Sequence, residues 1–225
     1  MTFQINMTDK RFLLPEERGY DKAYELSYKL ACDKLVKIDV EEQCRRSGTE
    51  CRSVDAHKLI VIKYLNQTYF VTLPDVKVTL PGSPDIVSIR DKLLMLHYFL
   101  TARGTPPTNK MVAFKELPEG KVYSPTFEQR SIRPLLNAFG KEPRLLIEVA
   151  EKLGGRRADY GDVAMTIDAF SRVPVTIILW GGDDEFAPQG SITFDANITD
   201  YLPTEDITVL CETIAWKLVR SAKSA

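Results

Sequence analysis

The sequence predicts an α+β fold: a largely antiparallel sheet with helices grouped on one side, in a single domain. Three observations carry this. Strand-like runs come in pairs divided by short turns, helical runs are grouped between them, and regular strand–helix–strand alternation is absent. The 225 residues, 44% hydrophobic and 27% charged, suffice for one large core without staples. No Gly/Ser linker or internal repeat divides the chain. Residues 1–225 therefore read as one domain, with an N-terminal helix and hairpin subregion at about 20–80.

Taken in order, Tyr20 to Lys37 carries Tyr24, Tyr28 and Leu35 with few breakers and reads as an amphipathic helix. Glu41 to Asp55 is polar, contains Gly48 and reads as a loop. His57 to Tyr64 and Tyr69 to Leu73 are β-rich and form a hairpin through Leu65-Asn66-Gln67, with a short strand at Val76 to Leu80. Pro81-Gly82-Ser83-Pro84 is turn punctuation. Ser83 or Asp85 then caps a helix through Arg103, whose Ile89, Leu93, Leu96, His97 and Leu100 recur at helical spacing, and Gly104 ends it. Met111 to Phe114 reads as a strand that runs on, through Lys115 to Tyr123, into a turn. Phe127 to Phe139 and Arg144 to Leu153 read as helices. Asp162 to Phe170, Val175 to Trp180 and Ser191 to Phe194 read as strands. A C-terminal helix runs from Pro203 to about Val219, with Thr204 as its cap and acids in its first turn.

Thirty basic residues face thirty-one acidic ones, a net charge of −1. That balance argues against nucleic acid as a partner, which calls for a basic surplus. No apolar run approaches the roughly 20 residues of a membrane helix. The first ten residues lack a basic start followed by an apolar block, so the expected location is cytoplasmic. The near-neutral total hides segregation. Val173 to Trp216 contains no Lys or Arg, whereas the middle holds Arg130, Arg133, Lys141, Arg144, Lys152, Arg156 and Arg157. An acidic C-terminal third facing a basic middle is the expected arrangement. The four cysteines, Cys32, Cys44, Cys51 and Cys211, are expected as free thiols in a reducing compartment. The first three lie close in sequence, but their spacing is unlike the tight knuckles of zinc sites.

Trp180-Gly181-Gly182-Asp183-Asp184-Glu185-Phe186 resembles the signature of diguanylate cyclases, in which two glycines and acids hold a nucleotide and its magnesium. A third acid intervenes before Phe186, and one added residue in a hairpin turns every later side chain to the other face. The upstream metal-binding segment of that family is missing, so the resemblance is rejected. Asp183, Asp184 and Glu185 remain metal candidates, because adjacent carboxylates repel unless a cation meets them.

A longer resemblance is carried by Leu94-Met95-Leu96-His97-Tyr98-Phe99-Leu100, Phe114-Lys115-Glu116-Leu117-Pro118, Gly120-Lys121-Val122-Tyr123, Gly161-Asp162, Leu179-Trp180, Gly182-Asp183-Asp184-Glu185-Phe186, Phe194-Asp195 and Tyr201-Leu202-Pro203-Thr204-Glu205-Asp206. In that order these segments resemble the uncharacterised domain-of-unknown-function family three-seven-eight-six. The resemblance implies a protein of anaerobic bacteria and archaea. Some relatives carry an added iron–sulfur domain like that of corrinoid iron–sulfur proteins, so it also implies corrinoid or iron–sulfur proteins as partners. It supplies no catalytic residues.

His97, on the apolar side of its helix, is a candidate ligand to a corrinoid or tetrapyrrole metal, since imidazole is a strong axial ligand. Tyr123, Arg130 and Arg133 lie around a helix start, where they would receive an anionic ligand or the acidic loop. Trp180 and Phe186 flank that loop and are candidate pocket walls. These residues support three readings. The first is a cofactor-associated binding or accessory protein of anaerobic metabolism, corrinoid or tetrapyrrole related, with a pocket containing Trp180 and His97. The second is a divalent-metal-dependent enzyme acting on an anionic substrate, with the acidic loop converging on Asp162 or Asp195. The third is a protein-interaction module.

Overall fold

In the computed structural model, residues 21–54, 57–84 and 86–223 are described. The expected Asp85 cap and the N-terminal leader reading lie outside them. Helix α1 (Asp21–Leu35) is followed by α2 (Val40–Ser47) and then by a four-stranded lobe, β1 (Glu50–Val54), β2 (His57–Tyr64), β3 (Gln67–Leu73) and β4 (Lys77–Thr79). Leu65 and Asn66 join β2 to β3 with φ of 47° and 63°. Two left-handed residues make the turn that matches strand twist, which is why the hairpin register holds from Lys58↔Leu73 to Tyr64↔Gln67.

The polar stretch after residue 40 corrects the loop expectation. Asp39 accepts the N–H groups of Glu41 and Glu42 at 3.0 and 3.1 Å and starts α2, and Gly48 at φ 68° ends it. Its buried face is made by Val40, Gln43, Cys44 and Ser47. Half of that face is polar, so no apolar period announces it. Gln43 Nε2 donates to the carbonyls of Phe99 and Ala102, and the Tyr98 hydroxyl donates to the Ser47 carbonyl.

Helix α3 (Ile89–Thr101) starts later than expected, with Ser88 Oγ accepting the Asp91 N–H at 3.1 Å, and closes at Ala102 before Gly104. After β5 (Met111–Ala113) and a 3-10 turn, the expected strand into Tyr123 is instead helix α4 (Gly120–Phe127). Pro125 inside it supplies no N–H, and the ladder widens into a π turn at Glu128–Ile132 before α5 (Arg133–Phe139). Helix α6 (Leu145–Lys152) precedes β6 (Arg156–Ala158), β7 (Val163–Phe170), β8 (Val173–Trp180) and β9 (Gln189–Asp195), and α7 (Thr204–Lys223) closes the described chain. Thr204 does not cap α7. It is the first helical residue, and its hydroxyl donates to the Pro118 carbonyl at 2.8 Å.

The nine described strands form one antiparallel sheet, with main path β4-β3-β2-β7-β8-β9-β5. β1 pairs with β2, and β6 with β7, beside that path. The two lobes meet at a single registered pair, Tyr64↔Phe170. Rings reinforce that joint: Phe170 lies 4.9 Å from Tyr64 and 4.2 Å from Tyr98, both stacked, and Tyr98 in turn stacks on Tyr201 at 6.1 Å. All four are essentially inaccessible to solvent. No helix of the described residues is long and apolar enough to cross a membrane.

Candidate functional site

The fold places α3 antiparallel to α7. Arg90 meets the middle of α7, His97 its first turn, and Thr101 the Tyr201 carbonyl just before it. Arg90 and His97 are two helical turns apart and therefore share one stripe of α3. Opposite them on α7 stand Glu212 and Asp206. The result is a polar seam inside an otherwise apolar helix pair.

Its deepest element is an ion pair. Arg90 Nη2 lies 3.0 Å from Glu212 Oε2 and 2.7 Å from the Val209 carbonyl, with side chains 2% and 1% exposed. Beside it, the Tyr64 hydroxyl donates to Asp91 Oδ1 at 2.8 Å, and the Tyr69 hydroxyl donates to Gln67 Oε1 at 2.8 Å. Burial, then the neighbouring Asp91 charge, pushes the Tyr69 phenol up to about 12 and holds the Tyr64 phenol well above its ordinary value, so both remain neutral donors. Tyr24 of α1 sits in the field of Arg90, Glu212, Arg130 and Glu205, and burial raises its phenol.

At the Arg90 end the seam opens into a cavity of about 470 Å³, with Tyr69, Ser88, Arg90, Asp91, Trp216, Lys217 and Arg220 among its walls. Two donors of its wall residues, Arg90 Nε and Trp216 Nε1, are buried without a hydrogen-bond partner among the described residues. Each such group costs about 1–3 kcal/mol when left unsatisfied. Lys217 and Arg220 add cationic charge to walls that also hold the Asp91 carboxylate, while Arg90 is matched by Glu212.

The sequence candidates are distributed differently from the expectation. His97 Nδ1 lies 2.7 Å from Asp206 Oδ2, half-buried, and lines neither this cavity nor the apolar cleft of about 410 Å³ around His57 and Leu59. Arg130 stands in the π turn, its charge reaching Tyr24 on the same side of the molecule as the seam. Arg133 and Tyr123 are exposed. Trp180 and Phe186 are 40% and 66% exposed, and Trp180 ends β8 roughly 23 Å along the strand from Val173. Trp180 and His97 therefore share neither of these two cavities.

The acidic loop also departs from the expectation. Asp183 accepts the N–H groups of Glu185 and Phe186, and these bonds hold its carboxyl below the usual range. Asp184 and Glu185 are exposed to solvent. Asp162 accepts the Gly181 N–H at 2.8 Å. Among the described residues, no three His, Cys, Asp or Glu are placed to hold a metal ion, and no ion pair joins the basic middle to the acidic loop. The acids of the C-terminal third pair elsewhere, Asp200 with Arg103 and Glu212 with Arg90.

Asp195 is a clamp on the 105–110 connection, not a metal ligand. It accepts bonds from Thr108 N and Oγ1, Asn109 N and Asn197 N at 2.7–3.1 Å. Burial pushes its carboxyl up, but the bonds from Asn197, Thr108 and Asn109 outweigh this and hold it below the ordinary range. A depressed folded value gives stabilisation that is present above the unfolded value and is lost as pH falls through the folded one. Below about pH 4, wild type should lose stability that Asp195→Asn no longer has to lose. Urea midpoints measured from pH 6 to pH 2 check this, and parallel profiles for the two proteins would refute it.

Sequence reasoning missed Arg90, Asp91, Glu212 and Trp216. The available signal was a charged residue on an apolar helical stripe, Arg90 standing in line with Leu94 and His97.

No curated protein and no solved structure matches the chain. The family model described as Domain of unknown function (DUF3786) matches residues 39–216, a span that contains the whole α3–α7 seam through Trp216. That span is well over half of the sequence, and the chain belongs to this family.

Proposed function

We propose that the protein is a binding or accessory protein that holds a carboxylate-bearing small molecule in the cavity between α3, α7 and the β2–β3 hairpin. One observation carries the reading: two buried N–H donors, Arg90 Nε and Trp216 Nε1, have no acceptor among the described residues, and both residues line a 470 Å³ cavity together with Lys217 and Arg220. That size lies within the roughly 300–1,000 Å³ of ligand sites. Tyr69 and Trp216 offer aromatic surface for an apolar body, and the cations offer charge for its acidic fringe.

A carboxylate-bearing tetrapyrrole or corrinoid of anaerobic metabolism is the class this reading favours. Its metal would not be held by His97, which lies outside the cavity with Nδ1 committed to Asp206. The residues present fit the fringe of such a molecule and not its axial coordination. Partners of the corrinoid or iron–sulfur type would then exchange the ligand with this chain.

Calorimetric titration with metal-free protoporphyrin IX, citrate and cobalamin tests the proposal. Protoporphyrin IX should bind one to one, and at a hundredfold excess over Kd it should raise Tm by roughly 5–8 °C. Lys217→Glu should weaken binding at least tenfold, and cobalamin, whose fringe is amidated, should bind more weakly. Saturable binding of citrate alone would remove the tetrapyrrole class. No saturable binding of any probe, or binding indifferent to Lys217→Glu, would overturn the site.

A further inference from the structure

Cys44 lies on the buried face of α2, 4% exposed. Gly48 then turns the chain, and the Thr49 N–H returns to the Cys44 carbonyl at 3.0 Å, so β1 departs directly alongside the last turn of α2. On β1, Cys51 is registered opposite Ile60, which is fully buried. Directly opposed residues of an antiparallel pair share a face. Cys51 therefore points to the core face, the one α2 covers, and both cysteines join the same apolar cluster. The two thiols lie close enough there to interact, with the Thr49 hydroxyl beside them. The other cysteines are placed differently. Cys32 lies beside Tyr28 on α1, and Cys211 is fully buried within α7.

We propose that Cys44 and Cys51 are a dithiol that closes reversibly to an intramolecular disulfide by exchange with a low-molecular-weight disulfide such as oxidised glutathione. Half-buried Cys51 is the thiol that meets the oxidant. Its thiolate attacks one sulfur of the small disulfide, forming a mixed disulfide and expelling one small thiolate. The Cys44 thiolate then attacks Cys51 Sγ and expels the second. The protein loses two protons and two electrons, and the small disulfide leaves as two thiols. Burial pushes the Cys44 thiol up to about 11, so the closing step is the slow one at neutral pH and accelerates as pH rises.

The bridge would tie the end of α2 to β1. Helix α2 holds the end of α3 through Gln43 and through the Ser47 carbonyl. Closure therefore braces the helix that carries Arg90 and His97.

The test incubates the full chain with oxidised glutathione at pH 8, then counts thiols after denaturation and maps linked peptides. The four thiols of the chain should fall to two, with the Cys44 and Cys51 peptides joined. Cys44→Ser should stop at a glutathione adduct on Cys51, and Cys32→Ser should bridge as wild type does. A bridge through Cys32 or Cys211, an adduct on wild-type Cys51 that never resolves, or four unreacted thiols would each overturn the proposal.

Discussion

Replacing Arg90 with Met is expected to destabilise the protein by about 3–5 kcal/mol, measured as a shift in the urea unfolding midpoint. The reason lies in the asymmetry of buried ion pairs. Arg90 and Glu212 are 2% and 1% exposed and 3.0 Å apart. Taking both out of water cost several kcal/mol per ion, and the pair repays part of it, with the Val209 carbonyl that Arg90 also bonds. Removing the guanidinium leaves the Glu212 carboxylate in the core with its main compensation gone. The same physics predicts a rescue: Arg90→Met with Glu212→Leu should return to within roughly 1–2 kcal/mol of wild type, since well-packed apolar isosteres often replace such pairs at little cost. Additive losses in this double-mutant cycle would show that the two residues do not act as a pair.

The second large effect concerns the joint between the lobes. Phe170→Ala should cost about 3–5 kcal/mol and should loosen the N-terminal lobe more than the rest. Phe170 forms the single pair linking β7 to β2, and its ring fills the space between Tyr64 and Tyr98. Besides that pair, the Leu65 N–H to the Ala169 carbonyl at 3.1 Å crosses at the same point. Truncation opens a cavity where the sheet has least backbone pairing to compensate. Hydrogen exchange of β1 to β4 amides should rise well ahead of that of β7 to β9. Uniform protection loss across the sheet would contradict a localised joint.

The parts of the fold legible in the sequence are those set by local forces. Helix α3 announced itself because Leu93, Leu96 and Leu100 repeat at helical spacing. The β2–β3 hairpin did so because β-branched runs flank an Asn turn. Helix α2 did not, because Gln43 and Ser47 bury polar atoms by bonding to α3, a contact between segments more than fifty residues apart. Helix α4 was hidden by Gly120 and Pro125, which read as breakers in the sequence. The site was least legible of all. Arg90 and Glu212 are separated by 122 positions, and nothing in one sequence pairs them. His97, expected as a metal ligand, has the Asp206 carboxylate as its partner, 109 positions away. The acidic run at Asp183 looked like a cation site because adjacent carboxylates repel. The folded loop answers that repulsion with backbone N–H groups at Asp183 and with solvent around the other two.

If the cavity beside Arg90 receives acceptor atoms, its orphan donors must change environment when a ligand enters. The indole N–H resonances of the two tryptophans report on this directly, with Trp180→Phe assigning the Trp216 signal. Adding metal-free protoporphyrin IX should move the Trp216 indole N–H downfield, as its orphan donor gains an acceptor, while the Trp180 signal stays in place. An unmoved Trp216 resonance at saturating ligand would contradict a ligand site at Arg90 and Trp216.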